Sequence, residues 1–231
     1  MIVLASSSPR RQELLRAAGV PFEAVPAEID ESVRPGESPE QYALRLAIEK
    51  AERVAASRPG ETRPVVAADT IVVIDGAVLG KPESPEQAAE MLRRLSGRTH
   101  AVLTGLCVID PPSGRRLAGV VSTGVRFAPL SEDEIREYVD SGEPMDKAGA
   151  YAIQGLASRF VEGIEGCYFN VVGLPIPTLY RMLEQLGSPA NSVPQSPLAA
   201  INLPPMADCG EQGGFRINQR KQHLVTPRDT E

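Results

Sequence analysis

The sequence predicts an α/β fold: a mixed, twisted β-sheet flanked by helices. Three observations carry this. Short apolar runs alternate with helices whose N-termini are written as capping motifs. Residues 99–110 and 115–128 are two β-rich runs around the turn Pro111-Pro112-Ser113-Gly114, a hairpin that adds antiparallel pairing to an otherwise alternating order. The run VVAADTIVVI at 65–74 is apolar enough for a central strand, or a strand pair, yet holds Asp69 and Thr70 in its middle.

Taken in order, Ile2–Ala5 reads as a short buried strand. Ser8 is placed as an N-cap, Pro9 at the first helical position, and Gly19 as the stop of the helix behind them. Strand, serine-rich turn and helix start together offer backbone N–H groups to an anion. Arg10 and Arg11 lie in the first turn, where the helix dipole disfavours cations, and a bound phosphate would relieve that misfit. Residues 22–33 read as a strand leaving into an acidic loop with Glu28, Asp30 and Glu31. Ser38-Pro39-Glu40-Gln41 is a capping box that opens a helix to about Ser57, with Ala43, Leu46, Ala47 and Val54 on its apolar face. Lys50 on that helix reads as a surface lysine.

After the central run, Lys81 stands between Gly80 and Pro82 on a turn. The segment Gly76–Pro82 imitates a P-loop but has three residues between its glycines and a proline where Ser or Thr is required, so it is not one. Ser84-Pro85-Glu86-Gln87 repeats the capping box and opens a helix through Leu95. Ser131 caps another, to about Asp140. Residues 143–155, EPMDKAGAYAIQG, read as a functional loop running into a strand, 159–172 as a further β region, and Pro177–Leu186 as a closing helix stopped by Gly187. From Ser188 proline recurs and apolar periodicity is lost. The expected organisation is one domain over 1–187 and a Pro/Ser-rich, disordered tail over 188–231.

Composition narrows the function. A net charge of −6 argues against a general nucleic-acid binder. Three cysteines without C-x-x-C spacing fit a reducing compartment, and with only two histidines a metal would be held by oxygens, which favours Mg²⁺ or Mn²⁺. The start of the chain has no basic n-region, and no apolar run approaches the ~20 residues of a membrane span. A cytoplasmic protein, free of membrane and nucleic acid, is expected. A carboxylate at Asp69 inside an apolar run must be paired, hydrogen-bonded or metal-bound. The two basic loci at Arg10/Arg11 and Lys81 follow apolar strands, and ligands bind at strand ends in open α/β sheets.

Five segments together resemble the Maf family of nucleoside triphosphate pyrophosphatases: Leu4–Arg11 (LASSSPRR), Ala68-Asp69-Thr70, Gly80-Lys81-Pro82, Leu95-Ser96-Gly97 and Glu143–Gly155. The resemblance spans residues 2 to about 187 and implies the Maf and ITPase-like fold with a nucleotide cleft. Ala-Asp-Thr followed by the 143–155 loop is similar to the branch acting on dTTP and UTP, whereas the 7-methyl-GTP branch typically shows Ser-Asp-Gln. Ala152 departs from the glycine common there. Carried over, the resemblance makes Asp69 the catalytic proton acceptor and puts Arg10, Thr70 and Gln154 at specificity positions. Ser6, Ser8, Arg11, Lys50 and Lys81 would bind phosphate, Glu31 and Asp69 a divalent cation. It further implies a homodimer and roles in nucleotide-pool cleansing and division arrest. The alternatives are a 7-methyl-GTP pyrophosphatase and a non-catalytic nucleotide-binding regulator of septum formation.

Overall fold

The computed structural model describes residues 1–187; the tail expected over 188–231 lies outside the described residues. Seven strands form one mixed sheet: β1 (Ile2–Leu4), β2 (Phe22–Ala24), β3 (Val65–Ile74), β4 (Ala77–Leu79), β5 (Thr99–Asp110), β6 (Arg115–Phe127) and β7 (Val161–Glu165). Their order is β2-β1-β3-β5-β6-β7, with β4 also on β3. The β2-β1-β3 side is parallel and β3-β5-β6-β7 antiparallel, so the hairpin supplies the mixed character. The central run is a single ten-residue strand through Asp69 and Thr70.

Among the described residues six α-helices cover the sheet: α1 (Pro9–Ala17), α2 (Pro39–Ala56), α3 (Pro85–Leu95), α4 (Glu132–Asp140), α5 (Tyr168–Val172) and α6 (Ile176–Gln185). The motifs at Ser38 and Ser131 form complete capping boxes. At Ser84 only half of one forms: its hydroxyl caps Gln87 N–H, while the Gln87 side chain accepts from Glu83 N–H. Ser8 is the N-cap of α1 but makes no side-chain cap bond.

Two expectations change. Residues 143–155 do not run into a strand; they fold as successive 3₁₀ turns, Glu143–Asp146 and Ala148–Ala150. Gly149 (φ 68°) and Ala150 (φ 59°) both take left-handed backbone, which breaks any extended path. The β region expected over 159–172 is only the five-residue β7 followed by the short helix α5. Gly166 (φ 126°) ends the strand, and a Cβ there would lie 2.9 Å from Thr123 Oγ1.

Strand alternation sorts the core. On β3, Val65 and Ala67 pack with Ala47, Ala51 and Val54 of α2, and Ile71 with Ala43. Val66 and Ala68 face the other way, onto Leu14 and Leu15 of α1 and Leu179 and Leu183 of α6. Farther along that face Val72 and Ile74 meet Leu92 and Leu95 of α3 and Ile135 and Tyr138 of α4. Period-two geometry therefore sends Asp69 toward α2 and Thr70 toward α1.

Candidate active site

The site begins with an interruption in the sheet. On one edge of β3, β1 pairs with Val65 and Val66 and β4 with Val72–Ile74. Between them β1 has already left the sheet into the Ser6–Ser8 turn and α1, so Asp69 and Thr70 border an opening rather than another strand. An open cleft of about 980 Å³ occupies it. All ten residues singled out in the sequence line this cleft: Ser6, Ser8, Arg10, Arg11, Glu31, Lys50, Asp69, Thr70, Lys81 and Gln154.

Asp69 is 9% exposed and Lys50 8%, so Lys50 is no surface lysine. Its ammonium lies 2.6 Å from Asp69 Oδ1 and 2.7 Å from Glu31 Oε1. The reason is the approach of α2 to the sheet. Gly105 on β5 is opposite Asp69 in the ladder, and a Cβ there would overlap the Ala43 carbonyl. With Ala43, Ala47 and Ala51 on the same face, α2 settles close enough for Lys50 to reach the carboxylate. The acidic loop is tied to the same helix: Tyr42 donates to the Glu31 carbonyl at 2.7 Å and Arg45 to that of Ser32 at 2.9 Å. Arg45 also bonds Glu37 and holds its carboxyl below the usual range, although burial opposes this.

Arg11 is fixed on the opposite face of β3. Its Nε donates to the Gly173 carbonyl at 2.8 Å, Nη1 to Ser6 Oγ at 3.2 Å and Nη2 to Thr70 Oγ1 at 3.3 Å. Burial lowers its pKa, with Asp69 acting against that. Three of its five N–H donors are thus already used on the protein. Arg10 is freer, with only the Asp146 carboxylate at 4.0 Å among the described residues, and that acid is held low chiefly by Lys147. Lys81 is exposed and makes no ion pair among the described residues. Its turn is docked to the 143–155 loop by Gly149 N–H donating to the Gly80 carbonyl at 3.0 Å. A Cβ on Gly149 would lie 2.9 Å from Val72, so this close docking requires glycine. Gln154 is exposed on the same loop.

The cleft is therefore asymmetric. Lys50 is occupied by two carboxylates and Lys147 by Asp146, leaving Arg10 and Lys81 as the cations best able to meet an incoming polyanion. Among the described residues no three His, Cys, Asp or Glu side chains converge as a metal cage. Glu31 and Asp69, gathered on one ammonium, form a two-carboxylate oxygen donor set. That suits Mg²⁺, which commonly takes one or two carboxylates and completes its shell with water and substrate phosphates.

Sequence reading missed Tyr42, Thr104, Asn170 and Tyr151. Thr104 carried a signal, since it interrupts the apolar run of β5 as Thr70 interrupts β3, and the two are ladder partners. Tyr151 lines the cleft with its hydroxyl 2.7 Å from Nε2 of buried His100, a pairing no sequence spacing announces.

Residues 1–186 match the Maf-like protein family. The chain belongs to that family. Among its Maf relatives, a protein of Syntrophomonas wolfei is 54% identical over 185 residues, covering 80% of this chain and 97% of the relative. One of Koribacter versatilis is 52% identical (80% and 94% covered), and one of an Anaeromyxobacter strain 54% identical (81% and 90% covered). All three are named dTTP/UTP pyrophosphatase.

Proposed function

We propose that this Maf protein hydrolyses dTTP and UTP to the nucleoside monophosphate and pyrophosphate. The observation that carries the reading is the buried Asp69–Lys50 pair with exposed Glu31 on the same ammonium, set in an interruption of the sheet and faced by Arg10 and Lys81. A pure phosphate binder has little use for a carboxylate at that place, whereas hydrolysis needs a proton acceptor beside the polyanion. The names of the relatives support the same substrates.

In this reading Arg10, Lys81 and the start of α1 bind the phosphate chain, Arg10 by bidentate contact and the helix start by its N–H groups. Water attacks the α-phosphorus and its proton passes to Asp69. The bond to the bridging oxygen breaks and pyrophosphate leaves, its growing charge stabilised by Lys81. Lys50 holds the Asp69 carboxylate in place and aimed. Its expected contact with phosphate becomes secondary to this role. Arg11 holds the wall of the cleft, Ser6 and Ser8 shape the turn, and Gln154 reads the base edge. Glu31 and Asp69 would hold a divalent cation, whose chemistry when bound is to neutralise phosphate charge and acidify water. The reading carries with it a cytoplasmic homodimer.

The test incubates the protein with Mg²⁺ and dTTP, UTP, CTP, dATP, GTP or 7-methyl-GTP in ¹⁸O-water. Monophosphate carrying the label, from dTTP and UTP alone, is expected. Cleavage confined to 7-methyl-GTP would move the chain to the other branch, and label in pyrophosphate would move the attack to the β-phosphorus. Asp69→Asn is expected to abolish turnover while nucleotide still binds; binding lost to the same degree would remove Asp69 as proton acceptor. Binding by the wild type without products would favour a regulator.

A further inference from the structure

Beneath the cleft runs a chain of buried hydroxyls and amides that the reaction does not use. Thr70 and Thr104 face each other across β3 and β5 with their oxygens 2.9 Å apart. Thr104, fully buried, donates to the Asn170 carbonyl at 3.2 Å. The Asn170 side chain, equally buried, donates to the Val102 carbonyl and to Thr123 Oγ1, both at 3.0 Å. It thereby fixes α5 and the Gly173 carbonyl beyond it.

The polarity of this chain can be worked out. A hydroxyl has one proton. If Thr104 gives its proton to Asn170, it must accept Thr70's. If Thr104 gives it to Thr70 instead, Thr70's own proton has the Gly173 carbonyl at 3.4 Å as its acceptor. In that second arrangement Thr104 and Arg11 Nη2 would fill both Thr70 lone pairs, but it depends on the longer contact to Gly173. The 3.2 Å bond from Thr104 to Asn170 favours the first, in which Thr70 donates to Thr104 and Arg11 Nη2 occupies one of its two lone pairs. What remains for the cleft is an acceptor lone pair.

We infer that Thr104 acts as a positioning residue that makes Thr70 an acceptor-only group, so that Thr70 selects a ligand N–H donor. Phosphate oxygens carry no proton to offer it, so its partner is a donor of the nucleoside, and the inference places the base there. The matching donor on a pyrimidine is the N3–H imide of uracil or thymine. Cytosine presents a bare N3 there, and two acceptors face one another. The inference rests on the pyrimidine triphosphate reading above and adds the hydrogen-bond polarity that discriminates within it.

The experiment compares wild type, Thr104→Val and Thr104→Ser. Each is assayed for kcat/KM on UTP and CTP, and for binding of the α,β-methylene analogues of both by calorimetry. In Thr104→Val the shape is kept and the Thr70 hydroxyl is released to turn toward the cleft. The UTP:CTP preference is expected to fall about tenfold in turnover and in binding, mostly through better use of CTP. Thr104→Ser is expected to restore it. An unchanged preference in Thr104→Val overturns the inference, as does a Thr104→Ser variant that behaves like the valine, which would mark a packing role. If the wild type turns over neither nucleotide, the reaction assignment fails, and the analogue binding ratio still decides the polarity.

Discussion

Replacing Gly105 with alanine would place a methyl group against the backbone of α2. The new Cβ would overlap the Ala43 carbonyl oxygen and lie 2.5 Å from its carbon and 2.9 Å from Leu44 N. An unstrained carbon–carbon contact is about 3.5 Å, so α2 must retreat by about 1 Å. A side chain could rotate away, but a helix backbone cannot. Overpacking of this kind costs about 1–3 kcal/mol, and the rigid neighbour puts Gly105→Ala toward the upper end. For a domain of this size that is a Tm lower by about 5–10 °C. Lys50 lies two turns farther along α2, so its contacts at 2.6 and 2.7 Å with Asp69 and Glu31 stretch as the helix backs off. Pyrophosphatase activity is therefore expected to fall at least tenfold at temperatures where the variant is fully folded. Gly119→Ala on the neighbouring strand is the control, because its Cβ meets only Met182 Cε, at 3.7 Å. The assay is thermal unfolding by circular dichroism together with dTTP turnover well below each Tm. If Gly105→Ala melts within 2 °C of Gly119→Ala, or loses stability while keeping full activity, the argument that close packing of α2 delivers Lys50 is wrong.

Two further outcomes are expected. Burial depresses His100 to about 4 from the ordinary 6.5, a difference of about 3 kcal/mol. Between those values the unfolded chain binds a proton that the folded one does not, so this stability is complete above pH 6.5 and is lost as pH falls toward 4. His100→Gln should flatten the pH dependence of urea unfolding in that window by about 1.4 kcal/mol per pH unit, and an unchanged slope would show that His100 does not titrate as its burial implies. Lys50→Met leaves Asp69 buried without its cation, a loss of about 3–5 kcal/mol for a broken buried pair. A dication shared by Glu31 and Asp69 would replace that charge, so Mn²⁺ should raise the Tm of Lys50→Met more than that of wild type. Equal shifts in differential scanning calorimetry would dissociate these carboxylates from metal binding.

The sequence by itself determined what depends on near neighbours along the chain. Capping residues at Ser38 and Ser131 placed helix starts, the Pro111–Gly114 turn placed the hairpin, and the polar pair Asp69-Thr70 within an apolar run marked the strand that borders the cleft. The five motifs hold eight of the ten residues that share one cleft, and Glu31 and Lys50 were added by the same resemblance. Their roles came from family resemblance and not from spacing. Alternation also implied that Asp69 and Thr70 point to opposite faces, but period two does not say what stands opposite each face.

Only the tertiary structure decided that. Lys50 reads as solvated from its helix and becomes buried because Gly105, far along the chain, lacks the atom that would hold α2 away. Thr104 and Asn170 became part of the site through strand register and the fold of α5, a segment that the sequence reads as part of a β region. The opening itself exists because β1 ends two residues into its pairing with β3, before β4 begins. Capping and alternation are local energies. Register, helix approach and strand ends are set by contacts between distant segments, and those contacts convert a row of motifs into a site.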